Sequence, residues 1–251
     1  KKKTIIFFFF FQKLKNINTK YIEQLVNNDK YFCVFIHQNQ NIKKKNYYFI
    51  INYLCKFVFN CNYFISNNVC DFFSPFSKRI YIHHDIYDTP LVNKETQESL
   101  RKRLSKYHNI FLASKTTELI FDHLFKPNRN KPMVSIIGYF KLDYLIRYKS
   151  PTKRDAIVIA PTNFLSFKKL SLYSKLIHII DVLLKHSKLK IIFRPHPSNL
   201  NFKEIDRICK KYKKNDQFIL DKSIDYSKVY NKSICLITDV SGTAYTYAFF
   251  T

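Results

Sequence analysis

Short apolar runs alternate with longer stretches in which apolar residues recur every three or four positions, and this rhythm holds from Ile5 to Phe249. Runs of four to eight apolar residues between polar turns read as buried strands, and the three-to-four spacing reads as amphipathic helix. The first half predicts strands at Ile5–Phe11, Tyr31–Ile36, Asn62–Ser66, Arg79–Ile82, Asn109–Ala113 and Pro132–Ile137. Helices are expected at Thr19–Asn27, Asn93–Tyr107 and Lys115–Phe125, and a short one ends near Arg147. Ser114 is placed to cap the third of these, with Glu118 near its first turn. Asn46–Phe59 is apolar but has no period that decides between helix and strand.

Lys149–Arg154 is polar, contains Pro151 and reads as a linker. Beyond it the rhythm restarts. Strands are expected at Ala156–Ile159, Lys190–Phe193, Gln217–Leu220 and Ile234–Ile237, with helices at Leu170–His186, Phe202–Tyr212, Tyr226–Tyr230 and Thr243–Phe249. Strands that alternate with helices imply parallel sheets. Two such series describe an α/β protein of two Rossmann-like domains facing a cleft, residues 1–148 and 149–251. The second series holds four strands and stops after a helix, so the C-terminal domain is expected to be truncated, and a start without methionine suggests that the natural beginning is missing as well.

Composition narrows the picture in three ways. With 46% hydrophobic residues in 251, the chain can bury a sizeable core and is not of disordered type. The net charge of +25 favours anionic partners. Yet the chain is rich in Lys, Asn, Ile, Tyr and Phe and has two Gly and no Trp. That is the drift of an AT-rich genome, which puts lysine on any solvated face. No zinc-finger spacing or RRM-type aromatic signature is present, so no nucleic-acid partner is expected. The six cysteines form no CxxC pair and lie mostly among apolar residues. They read as buried thiols of a reducing cytoplasm, with no metal site. Lys1–Lys3 and Thr4–Phe11 mimic a signal peptide, but Gln12, Lys13 and Lys15 follow without a small-residue cleavage site. Tyr47–Phe59 is interrupted by Asn52 and Lys56 and is too short to span a bilayer.

Candidate chemistry gathers at strand ends, where open parallel sheets bind their ligands. Ile191–Phe193 runs into Arg194, Pro195, His196 and Pro197. The two prolines stiffen a turn that carries a permanent cation and an imidazole. Arginine suits phosphate because its planar fork donates two parallel hydrogen bonds. The phrase Thr238-Asp239-Val240-Ser241-Gly242-Thr243 follows another strand and opens a helix, a natural anion site. An ordinary helix cap would use the same residues. Pro161 and Thr162 end the first strand of the second series and are placed to touch a nucleotide. His83 and His84 end a strand, with Asp85 and Asp88 close by. They suit a general base, more so His84, and fit no familiar zinc spacing.

In their order these motifs resemble the CDP-glycerol glycerophosphotransferase family, the teichoic-acid and capsule polymerases. The resemblance rests on the histidine turn, Gly138-Tyr-Phe-Lys141-Leu-Asp143, Ala160-Pro161-Thr162, Arg194-Pro-His196-Pro and Thr238-Asp239-Val-Ser241-Gly242, and covers about Ile80 to Thr251. The family phrase His-Gly-Thr-Pro-Leu is replaced by His84-Asp-Ile-Tyr-Asp-Thr89-Pro90-Leu91, three residues longer and without glycine. The resemblance implies a GT-B fold and transfer of glycerol phosphate, or a related polyol phosphate, from a CDP-activated donor. The acceptor would be a hydroxyl on a lipid-linked or capsular glycan, and CMP would leave. It implies His84 as general base and Arg194 and His196 as diphosphate contacts. Asp239, Ser241, Gly242, Thr243, Pro161 and Thr162 would surround the donor. No cofactor or metal is required. The expected place is the cytoplasm, peripheral on the inner face of the cell membrane, where lysines meet an anionic surface. A UDP-sugar glycosyltransferase or epimerase of the same fold, a basic nucleic-acid-binding protein and an inactive fragment are the alternatives.

Overall fold

The computed structural model describes residues 4–10, 31–37, 47–49, 61–67, 69, 76–83, 94–126, 131–165, 168–223 and 225–251. The expected helix Thr19–Asn27, most of Asn46–Phe59 and the segment His84–Leu91 lie outside them. The chain divides into two compact units, Lys1–Lys141 and Leu142–Thr251.

The first unit is built on seven parallel strands: β1 (Thr4–Phe10), β2 (Tyr31–His37), β3 (Tyr47–Phe49), β4 (Tyr63–Ser66), β5 (Lys78–Ile82), β6 (Asn109–Leu112) and β7 (Met133–Ile136). Their spatial order is β3-β2-β1-β4-β5-β6-β7. The order reverses between β1 and β4, which are paired directly from Ile6↔Tyr63 to Phe9↔Ser66. Helices α1 (Lys94–Leu104) and α2 (Lys115–Phe125) connect the later strands. Leu104, Phe121, Leu124 and Phe125 pack with Phe64, Tyr81, Ile110 and Leu112 in one apolar core. Ser114 caps α2 as its sequence suggests, accepting from the Thr117 N–H at 3.2 Å. β7 lies at the sheet edge, and Met133 and Ile136 are exposed accordingly.

The second unit has four parallel strands, β8 (Ala156–Ile159), β9 (Lys190–Phe193), β10 (Phe218–Leu220) and β11 (Ser233–Ile237), in the order β10-β9-β8-β11. Burial follows position in the sheet. All four residues of central β8 are buried, while the outer β10 and β11 are partly exposed. Ile157 and Ile159 face one core with Ile191 and Phe193, closed by α4 (Leu176–His186) and α5 (Lys203–Tyr212). Ala156 and Val158 face the other side, where Val229 of α6 (Ser227–Lys232) packs. A sheet covered on both faces explains why its inner strands are apolar throughout. Helix α5 buries Ile205, Ile208 and Tyr212 along one stripe and leaves Lys203, Glu204, Asp206 and Arg207 in solvent.

Two sequence expectations shift. The single helix expected over Leu170–His186 is a 3-10 turn, Leu172–Lys175, followed by α4. The Ser171 hydroxyl accepts the Tyr173 N–H and so bends the entry. The unit boundary falls at Lys141/Leu142, seven residues before the 148/149 division read from polarity. The boundary falls within helix α3 (Phe140–Ile146), and all but its first two residues, with the polar stretch after it, belong to the second unit. Asn231 donates to the Tyr148 carbonyl at 2.8 Å and accepts from the Ser150 N–H at 3.1 Å.

Of the described cysteines, Cys61 is buried, Cys209 half-buried and Cys235 exposed on the edge strand β11. Burial pushes the Cys209 thiol up from its ordinary value. Among the described residues no group of three or more Cys, His, Asp or Glu is arranged to hold a metal, and no helix is long and apolar enough to cross a membrane.

Candidate functional site

Because β8 to β11 are parallel, their carboxyl ends share one edge. The strand order reverses between β8 and β11, and the crevice at such a switch point is where ligands bind in open α/β sheets. Ala160–Asn163 leaves β8 there, Arg194–Pro197 leaves β9, Asp221–Ser223 leaves β10, and Thr238–Gly242 leaves β11 toward α7 (Thr243–Phe250).

Asp239 organises this edge. Its carboxylate accepts the Thr162 N–H at 2.8 Å with one oxygen and the Leu172 N–H at 2.8 Å with the other. Thr238 adds a bond from its hydroxyl to the Ala160 carbonyl at 2.6 Å. The β8 and β11 loops are thereby clasped across the switch point. Asp239 thus acts on backbone N–H groups, and Pro161 and Thr162 are buried beneath the edge.

The β9 turn is anchored in turn. Arg194 forms an ion pair with Asp221, both side chains being largely buried. Its guanidinium also donates to the Ser223 hydroxyl at 3.2 Å and to the Ser223 carbonyl at 2.7 Å, and lies 5.1 Å from the centre of the Tyr226 ring. Of its five N–H donors, these bonds and the ion pair occupy three. Two prolines and a tethered Arg194 make the turn rigid.

His196 is half-buried, and its Nδ1 accepts the Ser198 N–H at 3.2 Å. The neutral ring therefore carries its proton on Nε2, as a hydrogen-bond donor. Asn199 is 1% exposed and joins the β8 and β9 loops. It donates to Asn163 Oδ1 at 3.0 Å and accepts the Phe164 N–H at 3.3 Å. Phe164 stacks on Tyr173 with ring centres 4.3 Å apart, and burial pushes the Tyr173 phenol up, keeping it protonated.

At the start of α7 the Ser241 hydroxyl accepts the Thr243 N–H at 3.3 Å, and the Ser241 carbonyl accepts the Ala244 N–H at 3.1 Å. An anion arriving here competes with the Ser241 oxygen for the Thr243 N–H. Gly242 has φ −58°, a conformation open to any residue, so the absence of a Cβ is its distinguishing property.

In the first unit, His83 is buried at the end of β5. Its Nδ1 meets the Tyr81 hydroxyl at 3.1 Å and its ring packs edge-on against Phe121. His84 lies outside the described residues.

The structure thus brings His196, Asp239, Ser241, Gly242, Thr243, Pro161 and Thr162 to one edge of one sheet, with Arg194 as a support of that edge. The sequence reading missed Asn199, Asp221 and Ser223. Asp221 had a signal. β9 and β10 pair in register at Phe193↔Leu220, so the residues that follow, Arg194 and Asp221, are neighbours once the strand order is known. Asn199 gave none, because its role depends on the β8 loop, 35 positions away.

No protein-family model and no curated protein sequence matches the chain. Solved structures do. The UDP-N-acetylglucosamine 2-epimerase of Rickettsia bellii superposes with a TM-score of 0.65 at 12% identity, over 98% of this chain and 76% of that one. The UDP-GlcNAc 2-epimerase of Methanocaldococcus jannaschii, in complex with UDP-GlcNAc and UDP, gives 0.65 at 11% identity, over 98% and 82%. The wall teichoic acid polymerase TagF gives 0.61 at 16% identity, over 98% and 68%. At these identities the likeness is one of fold, the GT-B type with two parallel-sheet units.

Proposed function

We propose that the chain is a GT-B transferase that moves glycerol phosphate, or a related polyol phosphate, from a CDP-activated donor to a hydroxyl of a lipid-linked or capsular glycan. The observation that carries this reading is the group of polar residues along the carboxyl edge of the second sheet: His196 on its rigid turn after β9, and Ser241 and Thr243 at the start of α7. Such a set suits a diphosphate. The motif order and the fold shared with a wall teichoic acid polymerase support the choice of reaction.

In this proposal the acceptor oxygen bonds to the phosphorus that bears the polyol. The bond from that phosphorus to the bridging oxygen breaks, and CMP leaves with the electron pair. His84 takes the hydroxyl proton, a role it holds from its place in the motif order. Asp239 and Arg194 act as positioning residues, holding the loops that carry the donors. Neither metal nor organic cofactor enters the scheme.

A second reading is favoured by one observation: among the structural neighbours are enzymes solved with UDP or UDP-GlcNAc. A UDP-sugar glycosyltransferase or epimerase would use the same phosphate contacts. Calorimetric titration with CDP, CMP and UDP separates the two. CDP is expected to bind more tightly than UDP, and His196→Ala to weaken it by about tenfold, the loss of one hydrogen bond to a charged group. Tighter binding of UDP would replace the main reading by the second. His84→Ala should keep CDP affinity and lower turnover by about 10²–10⁴-fold.

A further inference from the structure

His196 stands at the head of a 3-10 turn, Pro197–Asn199. The turn holds it at two points. Its ring accepts the Ser198 N–H, and its carbonyl accepts the Asn199 N–H at 2.8 Å. Ser198 is exposed and Asn199 is buried, so the turn is anchored through Asn199. The Asn199 carbonyl accepts the Phe202 N–H at 3.1 Å, which ties the far end of the turn to the start of α5.

The hydrogen bonds allow the Asn199 amide one orientation. Its Oδ1 accepts the Phe164 N–H, so its nitrogen faces Asn163 Oδ1 and donates. Asn163 Oδ1 also accepts the Leu165 N–H at 3.1 Å, so it serves as an acceptor toward both. The β8 loop that receives Asn199 is itself held at Thr162 by Asp239. A line of contacts therefore runs from Asp239 through Thr162, Asn163 and Asn199 to His196, from the β11 loop across β8 to the β9 turn. It makes one scaffold of the two places that carry the polar residues of the site.

We infer that Asn199 is a positioning residue, which acts through the Pro197–Asn199 turn to fix the direction of the His196 ring. The consequence for a bound diphosphate rests on the function proposed above, whereas the effect on the ring rests on these hydrogen bonds alone.

The test is 15N NMR of the histidine ring nitrogens, with calorimetric titration of CDP on the same samples. The proteins are the full chain, Asn199→Leu, Asn199→Ala, His196→Ala, the double variant Asn199→Leu/His196→Ala, and Tyr212→Phe. Leucine keeps the volume of Asn199 and removes its polar atoms. Tyr212→Phe removes hydroxyl bonds to the Ile177 carbonyl at 3.0 Å and to Asp181 at 2.8 Å in the same unit, and controls for lost stability alone. The His196 resonances are those missing from His196→Ala. A ring held in one tautomer gives two widely separated nitrogen resonances, and a ring that exchanges tautomers gives closer ones. The separation should narrow in both Asn199 variants and stay unchanged in Tyr212→Phe. CDP affinity should fall about fivefold in Asn199→Leu, the scale of one neutral hydrogen bond. The double variant should bind no more weakly than His196→Ala, because the two residues act as one unit.

An unchanged separation in the Asn199 variants would overturn the inference, as would equal narrowing in Tyr212→Phe. Additive losses of affinity in the double variant would show that Asn199 acts apart from His196 and would overturn it too. Unfolding of both Asn199 variants would mark the residue as structural and end the positioning role. Affinity that depends on His196 and not on Asn199 would overturn the inference and leave the proposed function standing. Failure of CDP to bind the unaltered chain, with a ring that still responds to Asn199, would strike the proposed function and leave the positioning role.

Discussion

The Asp239 carboxylate accepts backbone N–H groups from two separate segments, so its removal leaves two donors unmet at once. Asp239→Ala should lower unfolding stability by about 2–3 kcal/mol, read from the midpoint of a denaturant titration. An unchanged midpoint would mean that water replaces the carboxylate without cost. His108 gives a prediction in pH. Burial, then the charges of Arg79 and Lys78, hold its imidazole below the ordinary histidine value of 6.5, and its Nδ1 accepts the Arg79 N–H at 3.0 Å. The native chain resists the proton more than the unfolded chain does. Its stabilising contribution is therefore complete above the unfolded value and is lost as pH falls through the lower native one. His108→Asn should flatten the loss of stability between about pH 7 and pH 5; superimposable melting profiles for the two proteins would refute this. Single residues were unevenly legible. Arg194 and His196 stand out in the sequence because prolines flank them, yet nothing local shows that Arg194 is held by Asp221, 27 positions on.

At the scale of elements, Gly138 joins β7 to α3 with φ +83°, and an added Cβ there would meet nothing within 4 Å. The cost of Gly138→Ala is therefore backbone strain alone, about 1–2 kcal/mol, with Gly138→Asn milder. A thermal melt unchanged by the alanine would show that the turn relaxes into another conformation. The strands and helices were legible because their periods differ, two or continuous against three to four, and the apolar residues obey them closely in β8, β9 and α5. What escaped was local competition. Ser171 turns the start of an expected helix into a 3-10 turn by capturing one N–H. Asn46–Phe59 had no decisive period, and the structure places a strand at Tyr47–Phe49.

For the whole molecule, 43 Lys and Arg face 18 Asp and Glu. Several surface pairs form, such as Lys211 with Asp181 at 2.6 Å and Arg101 with Glu98 at 3.8 Å, but exposed pairs of this kind contribute little. Self-repulsion should dominate, so the melting temperature is expected to rise as salt is raised from about 20 to 200 mM, where screening shortens the Debye length to below about 10 Å. A fall would mean that ion pairs outweigh the repulsion. The α/β class and the parallel sheets were legible from alternation alone. Strand order was not, because it is set by which connection crosses which face. The candidate site depends on that order: the reversal between β8 and β11 is what makes their loops neighbours.

The same reversal has a consequence while the chain is being made. A ribosome delivers β8 and β9 early, and they can pair as soon as both have emerged. The other flank of β8 belongs to β11, whose register begins at Ala156↔Ser233, so it waits for the stretch up to Ile237. At translation speeds of about 5–20 residues per second, that wait lasts several seconds. During it, Ala-Ile-Val-Ile presents an uncharged, unpaired edge to the cell. The strand best shielded in the finished unit thus carries an adhesive edge while the chain is being made, which gives a chaperone something to cover.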